Sequence, residues 1–278
     1  MANREHLSVL KQGAVRWIKW RSQNPTVEPD LSEANLIEAN LRGANLKGVN
    51  LKKSELDGAN LIAANLTDAN LNLANLSHAS LSKATLIAAS LINAHLIEAN
   101  FCHADLSQAN LIGADLRGAN LKGANLTEAN LIGTDLIGAN LRDAILNDAN
   151  LRRANLSDAN LIATHLNQAN LSEANLHEAE LIRSYLYKIE AIAANFSMAH
   201  LSGAYLFGAN LSDADLERAD FRWANLSQVN LRGADLKHAN LKGANLQKAD
   251  LTGANLDGAN LSQANLLEAK MPDGTIRY

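Results

Sequence analysis

The stretch ANLRGANLKG, residues 39–48, contains two copies of one five-residue unit that runs through most of the chain. Every fifth residue from Leu31 to Leu266 is apolar, which gives 48 consecutive units without an insertion. The central residue is leucine except at Phe101, Ala191, Phe196 and Phe221. The residue two places before the centre is nearly always alanine. A repeat this regular decides the fold, because each unit buries its apolar side chains only by stacking on its neighbours.

The period of five matches neither an α-helix nor a long strand. A helix needs apolar residues three and four apart, and a strand needs strict alternation. Within a unit, the alanine and the leucine are two residues apart and therefore point to one side, as in a strand. The next two residues turn the chain, and 14 of the 16 glycines occupy the second of these positions. The sequence therefore predicts very short strands joined by corners with a positive φ.

The units ANLRG, ANLKG and ADLRG resemble the pentapeptide-repeat protein family, and the resemblance extends from residue 29 to about residue 271. It implies an all-β solenoid, a right-handed, four-sided parallel β-helix in which four units make one coil. On that basis the 48 units form 12 coils, and strands about 4.8 Å apart give a rod roughly 58 Å long. Residues twenty apart are then expected to stack, as the recurrence of Ile92, Ile112 and Ile132 suggests.

Three segments are predicted: a capping α-helix and linker at 1–28, the β-helix at 29–270, and a tail at 271–278. Leu7, Leu10, Ala14 and Trp17 have helical spacing. An amphipathic helix there would cover the open end of the solenoid, with membrane-surface binding as the alternative. The tail MPDGTIRY resembles the tails of cyanobacterial pentapeptide-repeat proteins. The chain is therefore identified as a cyanobacterial-type member of that family.

The polar residues suggest no catalytic, cofactor or metal site. Cys102 and His103 are adjacent, but a metal site needs three or four converging ligands. No Ser, His and acid constellation can be placed, and a filled core leaves no interior pocket. We therefore expect a protein that is not an enzyme and has no cofactor. The single cysteine and the absence of a long apolar run or signal peptide favour a cytoplasmic location away from membranes.

Aromatic residues cluster on one side of the predicted coil. The column before the central leucines contains Ile145, His165, Tyr185 and Tyr205, and the column after them contains Tyr187 and Phe207. Trp223 is expected at the neighbouring corner, above Gly203. Rings on an otherwise polar surface are typical of protein-binding patches. The alternative is that stacked rings only stabilise the ladder.

These observations favour a non-enzymatic scaffold for protein–protein interaction, with regulation as one role. The family resemblance adds two alternatives: a DNA mimic that modulates a topoisomerase such as gyrase, and a rod with no specific partner. The repeat region carries 20 basic and 26 acidic residues (25 − 5 and 29 − 3), and this net charge of −6 gives too weak a field for DNA mimicry or for strong nucleic-acid binding. The resemblance also implies a homodimer through the C-terminal end, where Leu267 and Met271 lie.

The stretch LIRSYLYKIEAIAANF, residues 181–196, departs most from the repeat. Its inward positions carry Ile189 and Ala191 where alanine and leucine are expected. The summed volume is nearly unchanged, and cores tolerate volume-conserving exchanges best. We therefore predict that the register continues through the exchange. Because Tyr185 and Tyr187 immediately precede it, this stretch is the predicted point of contact with a partner.

Overall fold

A computed structural model describes residues 1–278. The chain consists of two compact units, Met1–Asn140 and Leu141–Tyr278, and each is described by itself. The only helices are α1 (Arg4–Lys11) and α2 (Ala14–Gln23), both in the first unit. Neither is long and apolar enough to cross a membrane. The rest of each unit is built from single-residue parallel bridges separated by tight turns.

The bridges join residues that are twenty positions apart. In the first unit they run from Asp30↔Asn50 to Asn120↔Asn140, and in the second from Ile145↔His165 to Asp250↔Lys270. Twenty residues are four pentads, so each unit is a parallel solenoid with four pentads per coil. The predicted stacking interval is confirmed. Because every strand contributes one bridging residue, the backbone hydrogen bonds run mainly between coils rather than within them.

The corner of each pentad is a tight turn with a left-handed residue at its third position. In the turn that begins at Leu41, the N–H of Ala44 donates to Leu41 O at 3.0 Å, and Gly43 has φ +64°. This confirms the turn predicted from the glycine positions. Many pentads place another residue there, such as Glu33 with φ 58°. The hydrogen bonds between coils hold that conformation where glycine would adopt it more readily.

The core is a column of leucine and alanine inside each unit. The central leucines from Leu31 to Leu251 are buried, as are the phenylalanines that replace them at Phe101, Phe196 and Phe221. A few inward positions are polar: Ser54 donates to Leu51 O at 2.7 Å and Thr164 to Leu141 O at 2.8 Å. These hydroxyls satisfy themselves on backbone carbonyls, so the column stays free of unpaired buried polar side chains.

The N-terminal segment forms two helices where one was predicted. Gly13, with φ +100°, separates α1 from α2, because this left-handed conformation cannot continue an α-helix. Trp17 is fully buried, and its Nε1 donates to Asn45 O at 2.6 Å. Arg21 donates to Lys47 O at 2.9 Å. Helix α2 therefore contacts the first coil through carbonyls that have no backbone partner.

The C-terminal segment turns back on the last coil. Lys270 and Ile276 form the one antiparallel bridge, and the N–H of Arg277 donates to Ala269 O at 3.0 Å. The central leucines of the final pentads, Leu256, Leu261 and Leu266, are only half-buried. The tail therefore pairs with one side of the final coil and leaves part of its apolar column accessible.

Candidate protein-binding surface

The regular outward columns of the second unit are ladders of asparagine and aspartate. The side-chain oxygen of the residue before each leucine accepts the backbone N–H of the residue after it, as Asn225 Oδ1 does from Ser227 N at 3.1 Å. The same side chains also bond between coils, with Asn230 Nδ2 donating to Asn210 Oδ1 at 2.9 Å. This Asx turn satisfies a backbone donor at every corner where it occurs.

In one column, stacked aromatic rings take the place of the asparagine and aspartate ladder. Ile145, His165, Tyr185 and Tyr205 are joined by successive parallel bridges. The His165 and Tyr185 rings stack with centroids 4.5 Å apart and planes 15° apart. The Tyr185 and Tyr205 rings stack at 5.2 Å and 8°. Ile145 continues the column below His165, so this part of the predicted patch is brought together.

A second ring pair runs parallel to the first stack. Tyr187 and Phe207 stack with centroids 5.8 Å apart and planes 10° apart. The N–H of Tyr187 has no Asx partner in its own pentad, and it donates instead to Asn167 Oδ1 of the preceding coil at 3.2 Å. Phe207 has neither an asparagine two residues earlier nor one twenty residues earlier. The rings therefore replace a hydrogen-bonding device on which the rest of the repeat depends.

We call the six residues of these two columns the aromatic face: Ile145, His165, Tyr185, Tyr187, Tyr205 and Phe207. Tyr185, Tyr187 and Tyr205 are 39%, 40% and 49% exposed. Within each stack the rings cover one another's faces, so their exposed parts are mainly ring edges. The aromatic face is therefore amphipathic and accessible, as in protein interfaces.

Trp223 lies apart from the two stacks. Its backbone follows Gly203 in the same corner column, as predicted, but its ring leans away from Gly203. Its ring contacts the site of a hypothetical Cβ on Gly243, one coil further along the chain. Side chains at this turn position lean toward the residue twenty places later, as His103 does over Gly123. Trp223 remains 64% exposed, so it is an accessible ring beside the aromatic face rather than a member of it.

Sequence reasoning missed two cations at the corners of the aromatic face. Arg183 and Lys188 occupy turn positions on either side of Tyr185 and Tyr187, with φ values of 55° and 51°. Lys188 Nζ lies 5.2 Å from the centroid of the Tyr187 ring. The signal was present in the sequence, since Gly203 and Gly208 follow these residues at the stacking interval. This pattern can be interpreted only when it is known that side chains at the turn position lean toward the following coil.

The exchange at Ile189 and Ala191 lies directly after the aromatic face. Both residues are fully buried, and Glu190 between them bridges to Asn170 and Asn210 in register. The continued register is therefore confirmed. The turn hydrogen bonds from Ile189 N to Leu186 O and from Ala194 N to Ala191 O lengthen to 3.4 and 3.3 Å. The corner opens slightly to accommodate the larger side chain.

No group of three or more His, Cys, Asp or Glu side chains in the chain is arranged to hold a metal ion. Cys102 is a free, half-buried cysteine. The features that distinguish the surface are apolar area, hydroxyl groups and flanking positive charge, and these are the properties by which a surface recognises another protein.

The fold and this surface define a repeat solenoid with one chemically distinct side. The family of pentapeptide repeats matches ranges that together cover residues 30–188 and 192–272. The chain belongs to the pentapeptide-repeat family. Only residues 189–191 separate the two matched stretches, and these contain the exchanged residues Ile189 and Ala191. The departure seen in the sequence is thus also a departure from the family pattern.

Solved structures of the same family are similar to this chain. HetL, a pentapeptide repeat protein involved in heterocyst differentiation regulation from the cyanobacterium Nostoc sp. strain PCC 7120, is 34% identical, with 93% of this chain and 98% of HetL covered and a TM-score of 0.48. A comparison with curated proteins found no match.

Two more distant structures also match. QnrB1, a plasmid-mediated fluoroquinolone resistance protein, is 18% identical over 65% of this chain and 92% of its own, with a TM-score of 0.35. A pentapeptide repeat protein from the Arabidopsis thaliana thylakoid lumen is 25% identical over 49% of this chain and 66% of its own, with a TM-score of 0.20. These matches carry no information on the partner of this chain.

Proposed function

We propose that this chain is a non-enzymatic interaction scaffold that binds a protein partner through the aromatic face. The single observation that carries the proposal is the replacement of the asparagine ladder by ring stacks that stay about half exposed. Tyrosine is favoured in interfaces because it supplies a large contact area at a low cost in side-chain entropy. A regulatory role in the cytoplasm is part of this proposal.

The competing explanation is that the rings serve only the stability of the solenoid. A stacked pair contributes about 0.5–1.5 kcal/mol beyond burial. Against this, each ring at position 165, 185 or 205 removes an Asx acceptor. The N–H groups of Asn167 and Tyr187 donate to an asparagine of the preceding coil instead, but Phe207 N–H loses its side-chain acceptor, which costs about 1–3 kcal/mol where the donor is shielded from water. Stacking of Tyr205 on Tyr185 therefore roughly offsets the lost hydrogen bond. The rings bring the fold little advantage, which supports a role outside the fold.

The double variant Tyr185→Asn/Tyr205→Asn separates the two explanations, because asparagine is the residue that the repeat itself places there. We expect its thermal stability to remain near that of the parent. We expect its affinity for the partner that the parent chain captures from the source cell to fall by at least about tenfold, as for an interface hot spot. Binding is measured by titration calorimetry with the purified partner.

Tyr278→Asn is the matched control, since Tyr278 is fully exposed and distant in sequence from the aromatic face. This variant is expected to bind as the parent does. Unchanged binding by the Tyr185→Asn/Tyr205→Asn variant would rule out the aromatic face as the docking surface. A large loss of stability in that variant would favour the purely structural explanation.

We also propose that the C-terminal end associates with a second copy of the chain. The half-buried Leu256, Leu261 and Leu266 and the 47% exposed Leu267 support this proposal. Sedimentation velocity of the full chain is the test, and Leu267→Lys is expected to shift a dimer toward monomer. A monomer at all concentrations in the parent chain would refute it.

A further inference from the structure

The aromatic face is positively charged at its corners and contains no acid along most of its length. Four outward columns form this side of the second unit: the two ring columns and the two turn columns that hold Arg183 and Lys188. Between residues 150 and 250, none of these four columns contains an aspartate or a glutamate. This is unusual in a chain whose acidic residues outnumber its basic ones by 29 to 25.

The two corner cations are also free of carboxylate partners. Elsewhere in the second unit Arg152 and Arg153 pair with Glu173, and Arg222 pairs with Asp220. Arg183 and Lys188 take part in no salt bridge, and the one contact of the Lys188 ammonium is with the Tyr187 ring. Two unpaired cations beside exposed rings are available to a negatively charged group from another molecule.

The side chains of both cations extend along the rings. Arg183 Cγ lies 3.6 Å from the point where a Cβ atom would stand if Gly203 were alanine. Lys188 Cγ lies 3.3 Å from the corresponding point at Gly208. These two glycines bracket Tyr205 and Phe207 in the sequence of the next coil. The aliphatic parts of both side chains therefore lie over corners that have no side chain of their own. The two residues stand at the corners on either side of the ring columns, and the Lys188 ammonium lies over the Tyr187 ring.

The orientation of the rings selects the kind of partner. Because the planes are within 15° of parallel, neighbouring rings cover each other's π-faces and leave the edges outward. Ring edges carry the positive part of the aromatic quadrupole, and tyrosine hydroxyls donate hydrogen bonds to acceptors. Single-stranded nucleic acid binds by stacking bases on exposed faces, which these columns do not offer.

We propose that the aromatic face binds an acidic protein segment that also contains an apolar side chain. Its carboxylates pair with Arg183 and Lys188, and its apolar group packs on the ring edges. A shallow cavity of about 110 Å³ beside Phe207, lined by Ser227, Gln228, Gln247 and Lys248, has room for one side chain of the segment. This inference rests on the proposed function and specifies the chemistry of the partner.

The experiment uses a display library of random 12-residue peptides, selected on the full-length chain and counter-selected on the Tyr185→Asn/Tyr205→Asn variant. We expect enrichment of peptides that combine several Asp or Glu residues with an aromatic or aliphatic residue. The affinity of an enriched peptide, measured by fluorescence anisotropy, is expected to fall by at least about tenfold in Arg183→Gly/Lys188→Gly. Added salt should weaken it further.

Glycine suits both positions because it is the residue that the chain most often places at this turn with positive φ. Lys53→Gly/Lys83→Gly is the matched control, since these lysines occupy the same turn position with φ values of 57° and 59°. It should bind the enriched peptide within about twofold of the parent affinity.

Tyrosine-dependent enrichment of neutral or basic peptides overturns the acidic assignment and leaves the proposed function standing. An Arg183→Gly/Lys188→Gly variant that binds the enriched peptide with unchanged affinity also overturns the acidic assignment and leaves the proposed function standing. Enrichment that does not depend on the tyrosines, or no enrichment, overturns both. Single-stranded DNA that competes with the peptide in a tyrosine-dependent manner would reassign the surface to nucleic acid.

Discussion

Tyr205 and Asn225 occupy the same position in successive coils of the second unit and form one bridge with each other. Asn225 Oδ1 accepts from the N–H and the Oγ of Ser227, at 3.1 and 2.6 Å. Tyr205 supplies no such acceptor and stacks on Tyr185 instead. The two regions share their backbone and their buried leucines, so the difference between them is confined to outward chemistry.

The comparison shows which positions the fold leaves free. The inward residues beside the two positions are the same, Ala204 with Leu206 and Ala224 with Leu226, because the column loses packing when they change size. The outward position before the leucine accepts asparagine or tyrosine without a change of register. A feature that the fold does not require, and that stays exposed, is available for binding.

The largest effect is expected from the exchanged pair beside the aromatic face. Ile189→Ala should lower the free energy of unfolding by about 2–5 kcal/mol, because it leaves a cavity. Ala191→Leu alone should cost about 1–3 kcal/mol through overpacking. The double variant restores the arrangement of the regular region and should return to within about 1 kcal/mol of the parent. Urea denaturation measures all three.

If the double variant were as unstable as Ile189→Ala, the two residues would not compensate each other, and the exchange would require another explanation.

The next largest effect concerns the asparagine of the regular region. Asn225→Ala removes the acceptor of both Ser227 groups, and Ser227 is buried. It should therefore cost about 1–3 kcal/mol of stability. Tyr205→Asn should change stability by less than about 1 kcal/mol, since an Asx acceptor for Phe207 N–H replaces one stacking contact. Thermal unfolding followed by circular dichroism compares the two. If Tyr205→Asn were more destabilising than Asn225→Ala, the stacked rings would contribute more to the stability of the fold than the asparagine ladder does.

A smaller effect is expected at the corner that holds Trp223. Gly243→Ala places a Cβ in contact with the ring and should move it, whereas the nearest atom to a Cβ on Gly253 is 3.9 Å away. Both alanines have to adopt a positive φ, so each costs about 1–2 kcal/mol. Only Gly243→Ala should change the tryptophan emission spectrum. An identical change in Gly253→Ala would mean that Trp223 does not lie on Gly243.

The smallest effect is a pH dependence of the regular columns. Burial by itself raises the pKa of Asp220, but hydrogen bonds from Arg222 outweigh it and hold that pKa below its usual value of 3.8. A carboxylate whose pKa is lower in the folded than in the unfolded protein stabilises the folded state at pH values above its unfolded-state pKa. This contribution is lost as the pH falls through its folded-state pKa. Arg222→Gln should therefore move acid unfolding to slightly higher pH.

Lys242→Gln, at the same position of the next coil, is the control and should leave the acid midpoint unchanged. Equal shifts in Arg222→Gln and Lys242→Gln would assign the effect to net charge rather than to the pair with Asp220.

Much of the fold was predictable because the pentad is a local code. The period of five, the glycine position and the interval of twenty each correspond to a bridge, a turn or a stack in the structure. The members of the two ring columns followed from the interval of twenty that the family resemblance implies. The break between α1 and α2 at Gly13 did not, because helical spacing continues across a residue that can still terminate the helix.

The sequence by itself determined the pentad, its corners and which residues point inward, since these depend only on spacing along the chain. The assignment of residues to outward columns also used the four-sided coil that the family resemblance implies. The tertiary structure decided where the side chains go after they leave the backbone. It placed Trp223 over Gly243 instead of Gly203, and it carried Arg183 and Lys188 toward the next coil. The direction in which these side chains lean depends on the positive φ at the corner and on the shape of the neighbouring coil. Neither can be deduced from the spacing of residues along the chain.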